Sequence, residues 1–312
     1  MNGFINAARQ GKNQWWRYLL GISLILFSWL IIGGLLYGIS LFFALVIPIV
    51  IQNPFGSDLP DDVVDLQGIV ERIPAAIAYF LANIPSLFFF LSLLFVVCVI
   101  HRRHFLTLIR GDRSSRWQRF WQGFGLWFVL LSGINFIAYF LDPGSFEINL
   151  NPITWCLFVI PAFFVVLLQS GTEELFFRGY LLQGLGLLIQ NKTILAVLTG
   201  IIFAIPHFLN PEMLRNPLIL SLTYLSLGFF LGLLVVKDNG LELALGQHAA
   251  NNFVIVTLFN TKDSVLVSPA IFLSDSSHPG TGLIVYWVEF AIFYYLLLGR
   301  KQKQSKPQLP DR

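Results

Sequence analysis

The sequence predicts an all-α, polytopic membrane protein with about eight transmembrane helices and with both termini in the cytoplasm. Of its 312 residues, 56% are hydrophobic and only 12% are charged, and the mean hydropathy is +0.71, whereas soluble domains carry about 25% charged residues. Apolar runs of roughly the 20 residues that cross a bilayer recur along the chain. No basic patch interleaved with aromatic residues indicates nucleic-acid binding, so we expect the lipid bilayer, and no nucleic acid, as a partner.

The first apolar run, residues 19–51, contains no charged residue. It is much longer than the roughly 7–15 apolar residues of a secretory signal, so we expect a retained membrane helix. Trp15 and Trp16 precede it and are typical of a membrane interface. The other predicted spans cover about residues 74–100, 123–141, 153–169, 193–209, 217–236, 241–259 and 281–298. Cys98 and Cys156 lie within spans and are expected to be buried packing residues.

Charge is distributed unevenly among the segments between spans. The amino terminus, segment 101–119 and the tail 300–306 are basic, whereas the loop 52–75 is acidic. Basic loops stay in the cytoplasm, so an even number of spans places the basic segments, and the Glu173–Glu174 end of the fourth span, on the cytoplasmic side. Segment 101–119 could also form an interfacial helix that binds anionic lipid, but we favour an ordinary loop.

Ionisable residues interrupt the apolar segments of the second half of the chain, where charges are costly and mark candidate functional sites. They are Glu173, Glu174, Arg178, His207, Glu242, His248 and Glu289. Residues four apart share a helix face and neighbours do not, so Glu174 can pair with Arg178 while Glu173 points elsewhere. The alternative is that the three form one buried ion cluster. Glu289 is expected to have a partner on another helix or to lie near the interface.

His248 and Asn252 also share one helix face, and His207 follows Pro206, which should bend its helix. A carboxylate such as Glu173 can act as a general base, and imidazole and carboxamide groups can stabilise an oxyanion, so the set suits hydrolysis. Glu173, His207 and His248 could instead hold zinc. His248 and Asn252 could also merely join helices by hydrogen bonds. The spacing alone leaves these alternatives open.

Three polar motifs occur in order on successive membrane segments: Glu173-Glu174-x-x-x-Arg178, Phe203-x-x-x-His207 and His248-x-x-x-Asn252. With them, roughly residues 153–257 resemble the CPBP family of CAAX-processing and bacteriocin-immunity proteins. This family is also called Abi and includes the type II CAAX prenyl endopeptidases. The resemblance implies an eight-helix intramembrane endopeptidase that cleaves a membrane-associated peptide or protein near the cytoplasmic face.

By the same resemblance, Glu173 with His207 activates water and His248 with Asn252 stabilises the oxyanion, while Glu174 and Arg178 support them. A glutamate mechanism without a cofactor is favoured over zinc held by Glu173, His207 and His248, because Asn252, the partner of His248, is a poor metal ligand. Two rival classes are a transporter, disfavoured because no paired halves are apparent, and a non-catalytic binding or immunity protein on the same scaffold.

The resemblance also divides the chain into sections. Residues 151–300 are the predicted peptidase core. Residues 1–150 form an amino-terminal three-span section with an acidic external loop and a basic cytoplasmic segment, and they carry none of the three motifs. Residues 301–312 are a predicted basic cytoplasmic tail.

Overall fold

The computed structural model describes residues 3–52, 73–113, 116–275 and 279–299. Within these ranges, a helix lies at the position of each predicted span. We label them α1 (Trp15–Leu26, continued by Phe27–Gly33 and Gly34–Gln52), α2 (Ala75–Ala82, Ile84–Phe95 and Val96–Ile100), α3 (Trp117–Leu141), α4 (Pro152–Leu185), α5 (Lys192–His207), α6 (Pro217–Asp238), α7 (Glu242–Thr257) and α8 (Gly280–Gly299).

Six of these helices are long and apolar enough to cross a membrane, as judged over the described residues: α1, α2, α3, α4, α6 and α8. The other two, α5 and α7, have 16 residues each, or about 24 Å of helix. The protein is therefore a mostly helical, multi-pass membrane protein. The acidic stretch within the predicted loop 52–75 and the tail 301–312 lie outside the described residues.

Asparagine residues mark the starts of three helices. The Asn151 side chain accepts a hydrogen bond from Thr154 N at the start of α4, Asn191 caps α5 and Asn216 caps α6. A proline follows directly at the first position of α4 and of α6, where its missing N–H costs nothing. The sequence therefore fixes these boundaries locally, before any helix packs on another.

The helix α7 lies at the centre of the molecule and packs against α3, α4 and α6. Most of its side chains are buried. Small residues allow close approach nearby: a Cβ on Gly228 of α6 would lie 2.6 Å from Gly200 O of α5. The Gly228-x-x-x-Gly232 spacing thus serves helix packing within the chain.

The two ends of the helix bundle differ. At one end, called the basic end, the short 3-10 helix Ile5–Gln10 and residues 101–113 pack on the turn between α6 and α7, where Leu241 N donates to Ile109 O at 3.0 Å. Arg116 also forms an ion pair with Asp238 there, at 2.8 Å. These contacts gather the basic segments into one layer.

A small sheet covers the opposite end, called the sheet end. Its strands are β1 (Phe146–Ile148), β2 (Phe259–Thr261) and β3 (Phe272–Ser274), in the order β1-β3-β2, with β1 antiparallel and β2 parallel to β3. The sheet joins the α3–α4 connection to the α7–α8 connection.

The burial predicted for the two cysteines is wrong. Both Cys98 on α2 and Cys156 on α4 are exposed. Apolar residues of a membrane helix face lipid as readily as they face other helices, so hydrophobic sequence context does not predict burial within the protein.

Candidate active site

Glu173 and Glu174 lie inside α4, whereas the sequence predicted that the span ends just before them. The helix passes through a π-helical stretch, Leu175–Leu181, and continues to Leu185. Wide turns of this kind often occur at functional sites. The glutamates are therefore held on a rigid element, about three turns from its carboxyl end.

Glu174 is the centre of a buried ion cluster. Its Oε1 accepts hydrogen bonds from Arg178 at 2.7 Å, as predicted from the spacing, and from His248 Nδ1 at 2.9 Å. The Arg178 guanidinium also donates to Gly228 O at 3.0 Å and lies 4.3 Å from the centre of the Phe203 ring. Glu174 and Arg178 are both fully buried, so each charge is stabilised by the opposite charge of its partner at a position that water does not reach.

Glu173 points away from this cluster, and its side chain retains 12% exposure. Its Oε1 accepts a hydrogen bond from Gln169 Nε2 at 2.5 Å. Its Oε2 has no hydrogen-bond partner among the described residues and lies 3.9 Å from His248 Nε2. The carboxylate is thus anchored through one oxygen, while the other accepts no hydrogen bond from the described residues.

His207 is fixed by its backbone and by an aromatic neighbour. Its Nδ1 lies 2.8 Å from Phe203 O. A carbonyl oxygen can only accept, so Nδ1 carries the hydrogen and, in the neutral ring, Nε2 presents a lone pair. The ring lies 4.4 Å from that of Tyr224, whose hydroxyl donates to Glu212 Oε1 at 2.5 Å.

A chain of side-chain amides leads to Glu173. Trp127 Nε1 donates to Asn251 (3.3 Å), Asn251 to Asn252 (3.2 Å), Asn252 to Gln169 (2.8 Å) and Gln169 to Glu173. An indole N–H can only donate and a carboxylate only accepts. These two ends fix the orientation of all three amides between them, and the second Asn252 N–H is left to serve another acceptor.

The four residues predicted to be catalytic line one cavity of about 420 Å³: Glu173, His207, His248 and Asn252. Gln169, Asn251, Glu212 and Tyr224 line it too, and the amino-terminal section contributes Trp29, Asn83 and Ser86. The supporting pair, Glu174 and Arg178, lies behind the lining. Three helices carry the catalytic candidates, so only folding brings them together.

Sequence reasoning missed Gln169, Trp127, Glu212 and Tyr224. Gln169 precedes Glu173 by four residues, which is a helical spacing that could have identified it. The others depend on which helix faces meet, and the sequence carries no signal for that. Two predicted ionisable residues lie elsewhere: Glu242 pairs with Arg116 at the basic end, and Glu289 is buried with its Oε1 unpartnered among the described residues.

Two members of the alternative zinc set, Glu173 and His248, lie slightly further apart than two zinc ligands do. Two ligand atoms on one tetrahedral zinc lie about 3.3 Å apart, whereas His248 Nε2 and Glu173 Oε2 are 3.9 Å apart. The bond between His248 Nδ1 and Glu174 leaves Nε2 free, and a metal-bound histidine commonly donates its other N–H to a carboxylate. Within the described ranges, no three His, Cys, Asp or Glu residues form a group that could hold a metal ion.

The part of the chain that matches a known protein family contains the candidate site. Residues 153–254, which include every catalytic candidate, match the family model described as type II CAAX prenyl endopeptidase Rce1-like. The uncharacterized protein YyaK of Bacillus subtilis (strain 168) is 30% identical over 284 residues, or 89% of each chain. No solved structure matches the chain.

Proposed function

Because the chain belongs to the CPBP-type family of membrane proteases, we propose that it is an intramembrane endopeptidase that hydrolyses a peptide bond in the cavity between α4, α5, α6 and α7. The observation that carries this proposal is the convergence of Glu173, His207, His248 and Asn252 on that cavity. A transporter could also use intramembrane carboxylates and histidines, but the match to a protease family favours the peptidase.

Glu173 is the proposed general base. In the first step, its free Oε2 takes one proton from a water molecule, while His207 Nε2 accepts a hydrogen bond from the other. The water oxygen attacks the peptide carbonyl carbon, and the carbonyl electron pair moves to its oxygen. Glu173 then returns the proton to the leaving nitrogen as the C–N bond breaks. Gln169 holds Oε1, so the carboxylate meets the water in one orientation.

His248 and Asn252 are the proposed donors to the oxyanion. Since the His248 Nδ1 hydrogen bonds to Glu174, Nε2 can donate only from the doubly protonated ring. With that ring charged, Glu173, Glu174, Arg178 and His248 carry two negative and two positive charges, so these four neighbouring side chains are neutral together. Asn252 adds its second N–H, because its first is used by Gln169.

The membrane arrangement is also proposed. The helices α5 and α7 complete eight membrane segments, and both termini lie in the cytoplasm with the basic segments. Residues 151–300 form the peptidase core, while 1–150 supply part of the cavity wall through Trp29, Asn83 and Ser86. The substrate is a membrane-associated peptide or protein, and no cofactor takes part.

The test compares membranes from cells that produce the wild-type protein, Glu173→Gln or no protein. Mass spectrometry of new peptide amino termini identifies sites cut only by the wild type. Glu173→Gln keeps the shape of the side chain and removes its basicity, so these termini should disappear although the variant is present at normal abundance. If Glu173→Gln yields the same termini as the wild type, the proposed mechanism is wrong.

A further inference from the structure

The cavity occupies one half of the bundle rather than its middle. Its lining includes His207 at the last position of α5, Asn210 and Glu212 in the α5–α6 connection, and Val265 in the α7–α8 connection. The residues from α2, such as Asn83, come from its first turns. All of these positions lie towards the sheet end, and the lining includes none of the described residues of the basic end.

Packed layers close the route from the cavity to the basic end. Beyond Glu173, the last turns of α4 bury Tyr180 and Gln183 under residues 101–113. Tyr180 Oη lies 2.8 Å from His101 Nε2, and Gln183 Nε2 donates to Thr107 O at 3.1 Å. Arg103 donates to the Gln183 side chain as well. A peptide could not pass this way without unpacking the segment.

At the sheet end, by contrast, the cavity is bordered by connections. Glu212 ties two of them together, because its Oε2 accepts from Val265 N at 3.1 Å and its Oε1 accepts from Asn210 Nδ2 at 3.1 Å. The Val265 side chain is 43% exposed while it lines the cavity. Glu212 and Val265 therefore mark the mouth.

The two ends carry opposite charge. The described Lys and Arg residues of the basic end are Arg9, Lys12, Arg17, Arg102, Arg103, Arg110, Arg113, Arg116, Arg119, Lys192 and Lys237, against Asp112, Asp238 and Glu242. The sheet end carries Arg215 and Lys262 against Asp142, Glu147, Glu212, Asp263 and Asp275. An excess of Lys and Arg in short loops marks the cytoplasmic side, so the basic end faces the cytoplasm.

We propose that the cavity opens on the membrane face opposite the cytoplasm, and that the substrate is a protein segment presented from that face or from the outer half of the bilayer. This inference rests on the proposed peptidase function. It differs from the cleavage near the cytoplasmic face that the sequence predicted. That prediction placed the end of the fourth span at Glu173–Glu174, whereas α4 carries on to Leu185 and takes the glutamates away from the basic end.

The test uses single cysteines in a Cys98→Ser, Cys156→Ser background. Val265→Cys places a thiol at the mouth, and Gln190→Cys places one on the exposed surface of the basic end. A membrane-impermeant maleimide added to intact cells should label Val265→Cys and should label Gln190→Cys only after permeabilisation. Labelling of Gln190→Cys but not Val265→Cys in intact cells would overturn the proposal.

A second readout concerns entry of the substrate. Val267→Cys is the matched control, since Val267 is exposed near Val265 but does not line the cavity. A bulky impermeant maleimide on Val265→Cys should abolish cleavage, and the same label on Val267→Cys should not. Undiminished cleavage by fully labelled Val265→Cys would contradict entry at this mouth. Labelling is also measurable in Glu173→Gln, so the membrane side is tested even if the proposed peptidase activity is absent.

Discussion

Gln169 gives the sharpest test of how the site is built, because it connects the proposed general base, Glu173, to a proposed oxyanion donor, Asn252. It donates to Glu173 Oε1 at 2.5 Å and accepts from Asn252 Nδ2 at 2.8 Å. Gln169→Ala removes both bonds without touching an atom that takes part in the proposed reaction. The Glu173 carboxylate can then rotate, and Asn252 loses the acceptor that orients it.

The size of the effect follows from the bond to the carboxylate. A hydrogen bond to a charged group contributes about 1.5–3 kcal/mol. If the whole free energy of this hydrogen bond stabilises the transition state, its loss lowers kcat about 10- to 160-fold, since about 1.36 kcal/mol corresponds to a tenfold change in rate. Substrate affinity should change little, because Gln169 contributes orientation of the catalytic groups.

Gln183→Ala is the matched control for this variant. Gln183 is a fully buried glutamine on the same helix, bonded to Thr107 O and Arg103 at the basic end. Both variants should lower the thermal unfolding temperature, but only Gln169→Ala should lower kcat for a peptide taken from an identified cleavage site. Equal kcat in the two variants would refute the role assigned to Gln169.

The remaining predictions concern stability and positioning. Arg178→Met removes a positive partner of the buried Glu174 carboxylate and should lower the unfolding free energy by about 3–5 kcal/mol. The double variant with Glu174→Gln should regain part of this loss. Unfolding of the purified proteins in denaturant measures both effects. Tyr224→Phe keeps the ring beside His207 but removes the hydroxyl that donates to Glu212. We therefore expect it to lower the unfolding free energy by about 1–2 kcal/mol and to lower kcat less than Tyr224→Ala does. Burial lowers the pKa of His101 from its ordinary value of 6.5, so the unfolded chain binds this proton more readily. Its contribution to stability should be present above pH 6.5 and decline as the pH falls below that value, and a His101→Gln variant should show a flatter decline in unfolding temperature between neutral and mildly acidic pH.

Much of the fold could be predicted because the signals of a membrane helix lie in its own sequence. Apolar runs and flanking charges placed each predicted span near an observed helix. The pair of Glu174 and Arg178 was also predictable, since both residues lie on one helix and their spacing sets their distance.

What the sequence could not predict depends on contacts between helices. The amide chain from Trp127 to Glu173 crosses α3, α7 and α4, and nothing local specifies which faces of those helices meet. The predicted side of the membrane for the site and the side proposed above differ for a related reason. The short polar motif of α4 suggested a helix end, but the ion cluster around Glu174 satisfies those charges inside the bundle.

The proposed mechanism depends on Glu173 as the base that activates water. The most direct measurement is single-turnover cleavage of an identified substrate by purified, lipid-reconstituted Glu173→Gln, with folding verified by its unfolding temperature. If Glu173 is the base, the variant should have an unfolding temperature close to that of the wild type and should show no cleavage above the level without protein. Cleavage at the wild-type rate by the folded variant would contradict it.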